Sequence, residues 1–183
     1  MKRGLLITFE GVEGSGKSTQ LSMLDDELTA RRIDHIVTKE PGDSSFGRMV
    51  RDSLLNKKEI KISNEAEFFI FMADRADHVR QIVEPALAKG KIVLCDRYSD
   101  STMAYQGGGR GFDLGFLEMN NKIASLGVAP DITFLIDVPI EIGLKRVLKR
   151  GKGVKDRIEK EQVAFHQRVR KMYLRIARKE KKR

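Results

Sequence analysis

The sequence holds one cysteine, Cys95, among 183 residues, so no internal disulfide framework holds it together. That usage fits a reducing compartment. No apolar run exceeds the six residues from Phe68 to Ala73, far short of the roughly 20 that span a bilayer. The apolar stretch behind Met1-Lys2-Arg3 stops at Glu10, too short for a secretory signal. Cytoplasmic residence without a membrane is the expectation. The three histidines, His35, His78 and His166, show no ligand spacing with one another or with Cys95, so a zinc site is not expected. Cys95 lies in an apolar strand and reads as packed core.

What is present is an ordinary globular balance, 40% hydrophobic and 33% charged, at a length that suits one domain over 1–183. The net charge of +9 is unevenly placed. Residues 168–183 carry nine basic groups against Glu180 alone, a net of +8, which leaves +1 for residues 1–167. A broadly basic nucleic-acid-binding surface is therefore not indicated. The basic segment reads as a solvated helix or frayed tail.

Short β-rich runs alternate with helical patterns. The runs are Leu5–Phe9, Ile36–Thr38, Ile92–Cys95 and Ile132–Ile136. Between them, residues 17–28, 45–56, 64–89, 113–126 and 140–150 carry helical spacing, with Pro85 kinking or shortening the third. A last helix is expected from near Arg157 into the basic tail. Strands joined by helices imply an α/β fold: a mostly parallel sheet with helices on both faces in a three-layer sandwich. Ligands in such sheets bind beyond the carboxyl ends of the strands. Those ends carry Glu10-Gly11, Lys39-Glu40, Asp96-Arg97 and Asp137.

Residues 11–18, Gly11-Val12-Glu13-Gly14-Ser15-Gly16-Lys17-Ser18, match G-x-x-x-x-G-K-[ST] between a strand and a helix. Glycines let backbone N–H groups curl around phosphates, and the helix N-terminus adds partial positive charge. Lys17 can reach the β- and γ-phosphates, and the Ser18 hydroxyl can complete the shell of a Mg²⁺ ion. The expected nucleotide-binding set is residues 11–18 with Thr19. The chain lacks the N-K-x-D of guanine-nucleotide switches.

A second phosphate site is suggested by Asp96-Arg97 at the third strand's end. Asp96 can hold the metal or accept a proton, and Arg97 can bridge donor and acceptor phosphates. Phe71 and Arg75 lie four apart on one helix and share a face. They suit either nucleobase recognition or ordinary core and surface. The loop Tyr105-Gln106-Gly107-Gly108-Gly109-Arg110-Gly111 is equally open to either reading.

In combination, FEGVEGSGKSTQ (9–20), KEPG (39–42), ADR (73–75), DRYSDSTMAYQGGGRG (96–111), PDITFLIDV (130–138) and KRGKGVKDRIEKE (149–161) resemble the thymidylate kinase family of P-loop nucleoside monophosphate kinases. The resemblance implies transfer of a phosphoryl group from ATP to dTMP, giving dTDP and ADP, with Mg²⁺ and a homodimer. It makes Phe71 the ring under thymine and Arg75 the contact to the base edge. Arg51 and Arg97 become ligands of the dTMP phosphate, Tyr105 lies against the deoxyribose, and Gln106 and Thr102 lie near the base. Glu13 faces the acceptor sugar, as in bacterial-type members. Those members carry catalytic arginines in a mobile lid, here about 149–157, which offers Arg150 and Arg157 beside Lys17, Asp96 and Arg97.

Two departures from the pattern stand out. Asp43-Ser44-Ser45 follows Glu40-Pro41-Gly42 where REPGGT is usual. The family's last strand and helix, which help to hold adenine, are expected to be missing. The competing functions are another P-loop nucleotide or small-molecule kinase and a non-catalytic ATP-binding regulatory module.

Overall fold

The computed structural model describes residues 3–56, 62–150, 157–159 and 161–183. The chain runs β1 (Leu6–Glu10), α1 (Lys17–Ala30), β2 (His35–Lys39), α2 (Ser45–Arg51), α3 (Asn64–His78), α4 (Glu84–Ala88) and β3 (Ile92–Asp96). It continues through α5 (Ser99–Thr102), α6 (Leu114–Ala124), β4 (Ile132–Leu135), α7 (Ile140–Arg150) and α8 (Val163–Lys179). Wider π-helical turns extend α2 over Asp52–Asn56, join α3 to α4 over Val79–Val83, and follow α5 over Met103–Gly109. Pro85 sits in the first turn of α4, where a missing N–H costs least. The expected helix over 64–89 therefore persists as three consecutive helical pieces.

The four strands pair in parallel in the order β2-β3-β1-β4. Alternation along β1 and β3 sends side chains to opposite faces. Leu6, Val93 and Cys95 pack with Val79, Val83 and Leu87 on one side. Ile7, Phe9 and Leu94 pack with Leu21 and Leu28 of α1 on the other. Each such fully buried aliphatic side chain contributes about 1.5–3 kcal/mol. The sheet is thus covered by helices on both faces, as the alternation of strands and helices predicts.

The C-terminal segment corrects the expectation of a solvated or frayed tail. Its helix starts at Val163 rather than near Arg157, and residues 157–159 form a turn. Phe165, His166, Val169 and Tyr173 lie on one helical face, and all four are buried. They pack with Val12, Ala104, Tyr105 and Ile140. Some of the basic groups are paired, Arg170 with Asp137 at 2.6 Å and Arg183 with Asp100 at 2.9 Å. Six of the nine basic groups lie on this helix, away from its buried face, and Lys181, Lys182 and Arg183 follow it.

Candidate active site

The register places the ends of β1 and β3 side by side, Phe9 opposite Asp96. The phosphate loop and the Asp96-Arg97 pair consequently emerge at the same sheet edge. The loop turns through Gly11, Gly14 and Gly16 at φ of 142°, 67° and 106°, values at which an L side chain is strained. It delivers the chain into α1 at Lys17, with the positive end of the helix dipole at the loop.

Lys17 is buried, and its Nζ donates to the Val12 carbonyl at 3.1 Å. Burial, reinforced by repulsion from Arg97, lowers its pKa to about 8. The Ser18 hydroxyl donates to Asp96 Oδ2 at 2.8 Å. A hydroxyl and a carboxylate at this separation form a hard-oxygen donor pair of the kind Mg²⁺ takes alongside nucleotide phosphates and water. Among the described residues no cluster of three or more His, Cys, Asp or Glu side chains is placed to hold a metal unaided.

Arg97 has a left-handed backbone, φ 74°. Its Nη1 donates to the Gly11 carbonyl at 3.0 Å and its Nη2 to Glu13 Oε1 at 3.0 Å. The guanidinium lies over the Tyr105 ring, 5.0 Å from its centre. Glu13 also accepts from the Tyr105 hydroxyl at 2.5 Å. Burial by itself raises the Glu13 pKa, but neighbouring His166, Arg97 and Tyr105 outweigh it and bring it down to about 2.

Arg75 is buried rather than superficial. Its Nε donates to Glu40 Oε2 at 2.8 Å, and its Nη1 to Thr102 Oγ1 at 2.8 Å and to Asn121 Oδ1. The other Glu40 oxygen meets His78 Nδ1 at 2.8 Å. Burial opposes the charge on Glu40, yet Arg75 and His78 hold its pKa below the ordinary carboxylate value. Asp74 has an oxygen, Oδ1, with no hydrogen-bond partner. Burial and the nearby Glu40 push its pKa up to about 7.

These groups surround one cavity of about 260 Å³. Its walls include Glu13, Gly14, Lys17 and Ser18 from the phosphate loop. They also include Arg51, Phe71, Arg75, Asp96, Arg97, Thr102, Tyr105 and Gln106. The acceptor-side residues expected from sequence are therefore brought together. Arg51 is anchored by a 2.8 Å bond from Nη1 to the Pro41 carbonyl. Val12 is packed in the core beneath the loop, Ser15 is buried, and Thr19 is exposed on α1. Arg157 is not on the cavity wall. Its Nη2 lies 2.9 Å from Glu67 Oε2, although the adjoining Ile158 and Glu159 do line the cavity. The Arg150 side chain and residues 151–156, most of the expected lid, lie outside what the structure describes.

Several residues of the site carry no local sequence signal. Glu40 is visible in sequence only as a strand-end charge, and the histidines only as unpaired for zinc. Yet His78 is bonded to Glu40, and His166 Nδ1 lies 3.4 Å from Glu13 Oε2. Glu67, buried on α3, gathers Arg110, Arg157 and Gln106. Within the departure after Pro41-Gly42, the Ser44 hydroxyl accepts from the Gly47 amide at 2.9 Å and caps α2. Asp43 accepts from Thr38 at 2.7 Å.

A family model described as thymidylate kinase matches residues 9–183. The thymidylate kinase of Carboxydothermus hydrogenoformans is 50% identical over 176 residues, 96% of this chain and 85% of the relative. That of Desulfosudis oleivorans is 47% identical over 184 residues, 98% of this chain and 86% of the relative. A crystal structure of thymidylate kinase from Ehrlichia chaffeensis superposes with a TM-score of 0.80 at 34% identity. That comparison covers 99% of this chain and 84% of the other.

Proposed function

The chain belongs to the thymidylate kinase family, and from that premise we propose that this cavity is where dTMP receives the γ-phosphoryl group of ATP. The enzyme converts ATP and dTMP to ADP and dTDP. The observation that carries the site assignment is spatial. An aromatic ring, Phe71, and a buried guanidinium, Arg75, lie in the same cavity as Lys17 and Arg97. One end suits a flat base and the other suits phosphates.

Phe71 stacks on thymine, Arg75 meets the base edge with Gln106 and Thr102 beside it, and Tyr105 lies against the deoxyribose, near Glu13. Arg51 and Arg97 hold the acceptor phosphate. Residues 11–19 hold ATP through loop amides and Lys17. Ser18 and Asp96 would hold Mg²⁺, which supplies charge neutralisation across the donor phosphates when bound. The acceptor oxygen is already anionic at neutral pH, so no strong base is required. The obstacle is repulsion between two polyanions, and Lys17, Arg97, Arg150 and Arg157 offset it by position and charge.

We also assign residues 1–183 to one kinase domain with a lid at about 149–157, cytoplasmic and acting as a homodimer. No described helix is long and apolar enough to cross a membrane. The adjacent helices α2, α3 and α6 expose Phe46, Met49, Phe69, Met119 and Ile123, apolar surface that a second copy would cover.

The direct test is a coupled ADP assay with ATP and Mg²⁺ over dTMP, dUMP, dCMP and AMP. dTMP should be fastest. dUMP should follow within about 10–200-fold, because one methyl group in a pocket contributes about 1–3 kcal/mol. ADP production that is independent of acceptor, or faster with AMP, overturns the assignment.

A further inference from the structure

Helix α8 touches residues of the cavity wall through His166, 3.4 Å from Glu13, and through the hydroxyl of Tyr173. The Tyr173 ring is buried with Val12, Tyr105 and Val169, and its Oη donates to Glu10 Oε2 at 2.9 Å. The Ser101 hydroxyl donates to the same carboxylate oxygen at 2.7 Å and lies 2.8 Å from Tyr173 Oη. Arg97 Nη1 in turn donates to Tyr173 Oη at 3.2 Å.

The direction of these bonds follows from proton counting. Burial and the nearby Asp100 raise the Glu10 pKa to about 7; in its ionised form the carboxylate only accepts, and a phenol has one proton to give. With that hydrogen bond donated to Glu10, the lone pairs of Tyr173 Oη are left for the Arg97 guanidinium. Arg97 needs such fixing. Its backbone sits in the left-handed region, and two of its other acceptors, the Gly11 carbonyl and Glu13, belong to the phosphate loop itself, while the third, the Ser101 hydroxyl, is longer at 3.4 Å. Tyr173 is the closer acceptor from outside that loop, on a helix whose Tyr173 ring meets the Tyr105 ring edge-on at 6.2 Å.

We propose that Tyr173 is a positioning residue, holding Arg97 at the angle from which it takes the acceptor phosphate through the relay Glu10 to Tyr173 to Arg97. This rests on the reading of Arg97 as a ligand of that phosphate. A purely packing role would be served equally well by phenylalanine, because the ring contacts are apolar. The positioning role needs the oxygen.

The test is Tyr173→Phe, with dTMP and thymidine titrated separately by calorimetry. Thymidine shares the base and sugar and lacks the phosphate, so it reports the fold and the base pocket without engaging Arg97. Tyr173→Phe should weaken dTMP by about tenfold or more, the scale of a lost hydrogen bond to a charged group, while thymidine stays within about twofold of wild type. Steady-state kinetics should show the same split, with KM for dTMP raised and KM for ATP unchanged. An unchanged dTMP affinity overturns the proposal. So does a parallel loss of both ligands, including complete loss through misfolding, since that is the outcome of a packing role. Wild-type protein that binds dTMP no better than thymidine fails differently: it removes the phosphate role of Arg97, and the relay falls with that reading.

Discussion

Gly14 and Gly143 meet backbone against backbone. A β-carbon on Gly14 would stand 2.1 Å from the Gly143 carbonyl oxygen, and one on Gly143 would stand 2.4 Å from that of Glu13. Helix α7 is thereby pressed against the outer side of the phosphate loop. Arg146 of the same helix donates from Nη1 to the carbonyls of Gly14 and Ser15 at 3.2 and 3.4 Å. The loop's curvature is set from outside as well as by its own glycines.

Gly143→Ala should therefore displace the loop, since the obstructing atom is backbone and cannot swing aside. The expected result is ATP affinity reduced by about tenfold or more, with thymidine affinity little changed. Calorimetric titration of ATP with Mg²⁺ checks it. Wild-type ATP affinity in this variant would show that the loop keeps its shape without close contact from α7.

Arg157→Ala should lower turnover by roughly 10³-fold or more, on the scale of arginine fingers. In this structure the side chain rests on Glu67 rather than on the cavity wall, so engaging phosphate requires it to leave that partner. The measurement is kcat at saturating ATP and dTMP. A loss of tenfold or less would remove Arg157 from the catalytic set.

Asp74→Asn should change how stability depends on pH. Burial and Glu40 raise the Asp74 pKa from 3.8 to about 7. Between these values the native protein keeps a proton that the unfolded chain has released, so this group's stabilisation is lost as pH rises from about 4 to about 7. The neutral amide has no such loss. The Tm of the variant minus that of wild type should climb by about 4 °C or more across that window and then level off. A difference that is flat with pH would mean that Asp74 is ionised in the native state throughout.

The parts of this molecule legible in sequence are those whose meaning is local. The phosphate loop occupies eight consecutive residues, and strand and helix periods are read within a dozen. Phe71 and Arg75 share a helix face, and that too is a local fact. What stayed hidden depends on chain segments meeting. Nothing near Glu67 announces that Arg110 and Arg157 will converge on it. His78 and His166 are unremarkable until Glu40 and Glu13 are folded against them. The basic tail misled because charge was counted without its helical phase. Four buried residues on one stripe of α8 outweigh the cations on the others.

The bond between Glu10 and Tyr173 spans 163 positions of chain. A polypeptide still emerging from the ribosome would display the phosphate loop long before α8 arrives to close the floor beneath it. Loops of that length close late and slowly. During synthesis the nascent chain would carry an ATP cradle without a finished acceptor chamber, so competence for phosphoryl transfer should appear abruptly, once α8 has been made and has docked.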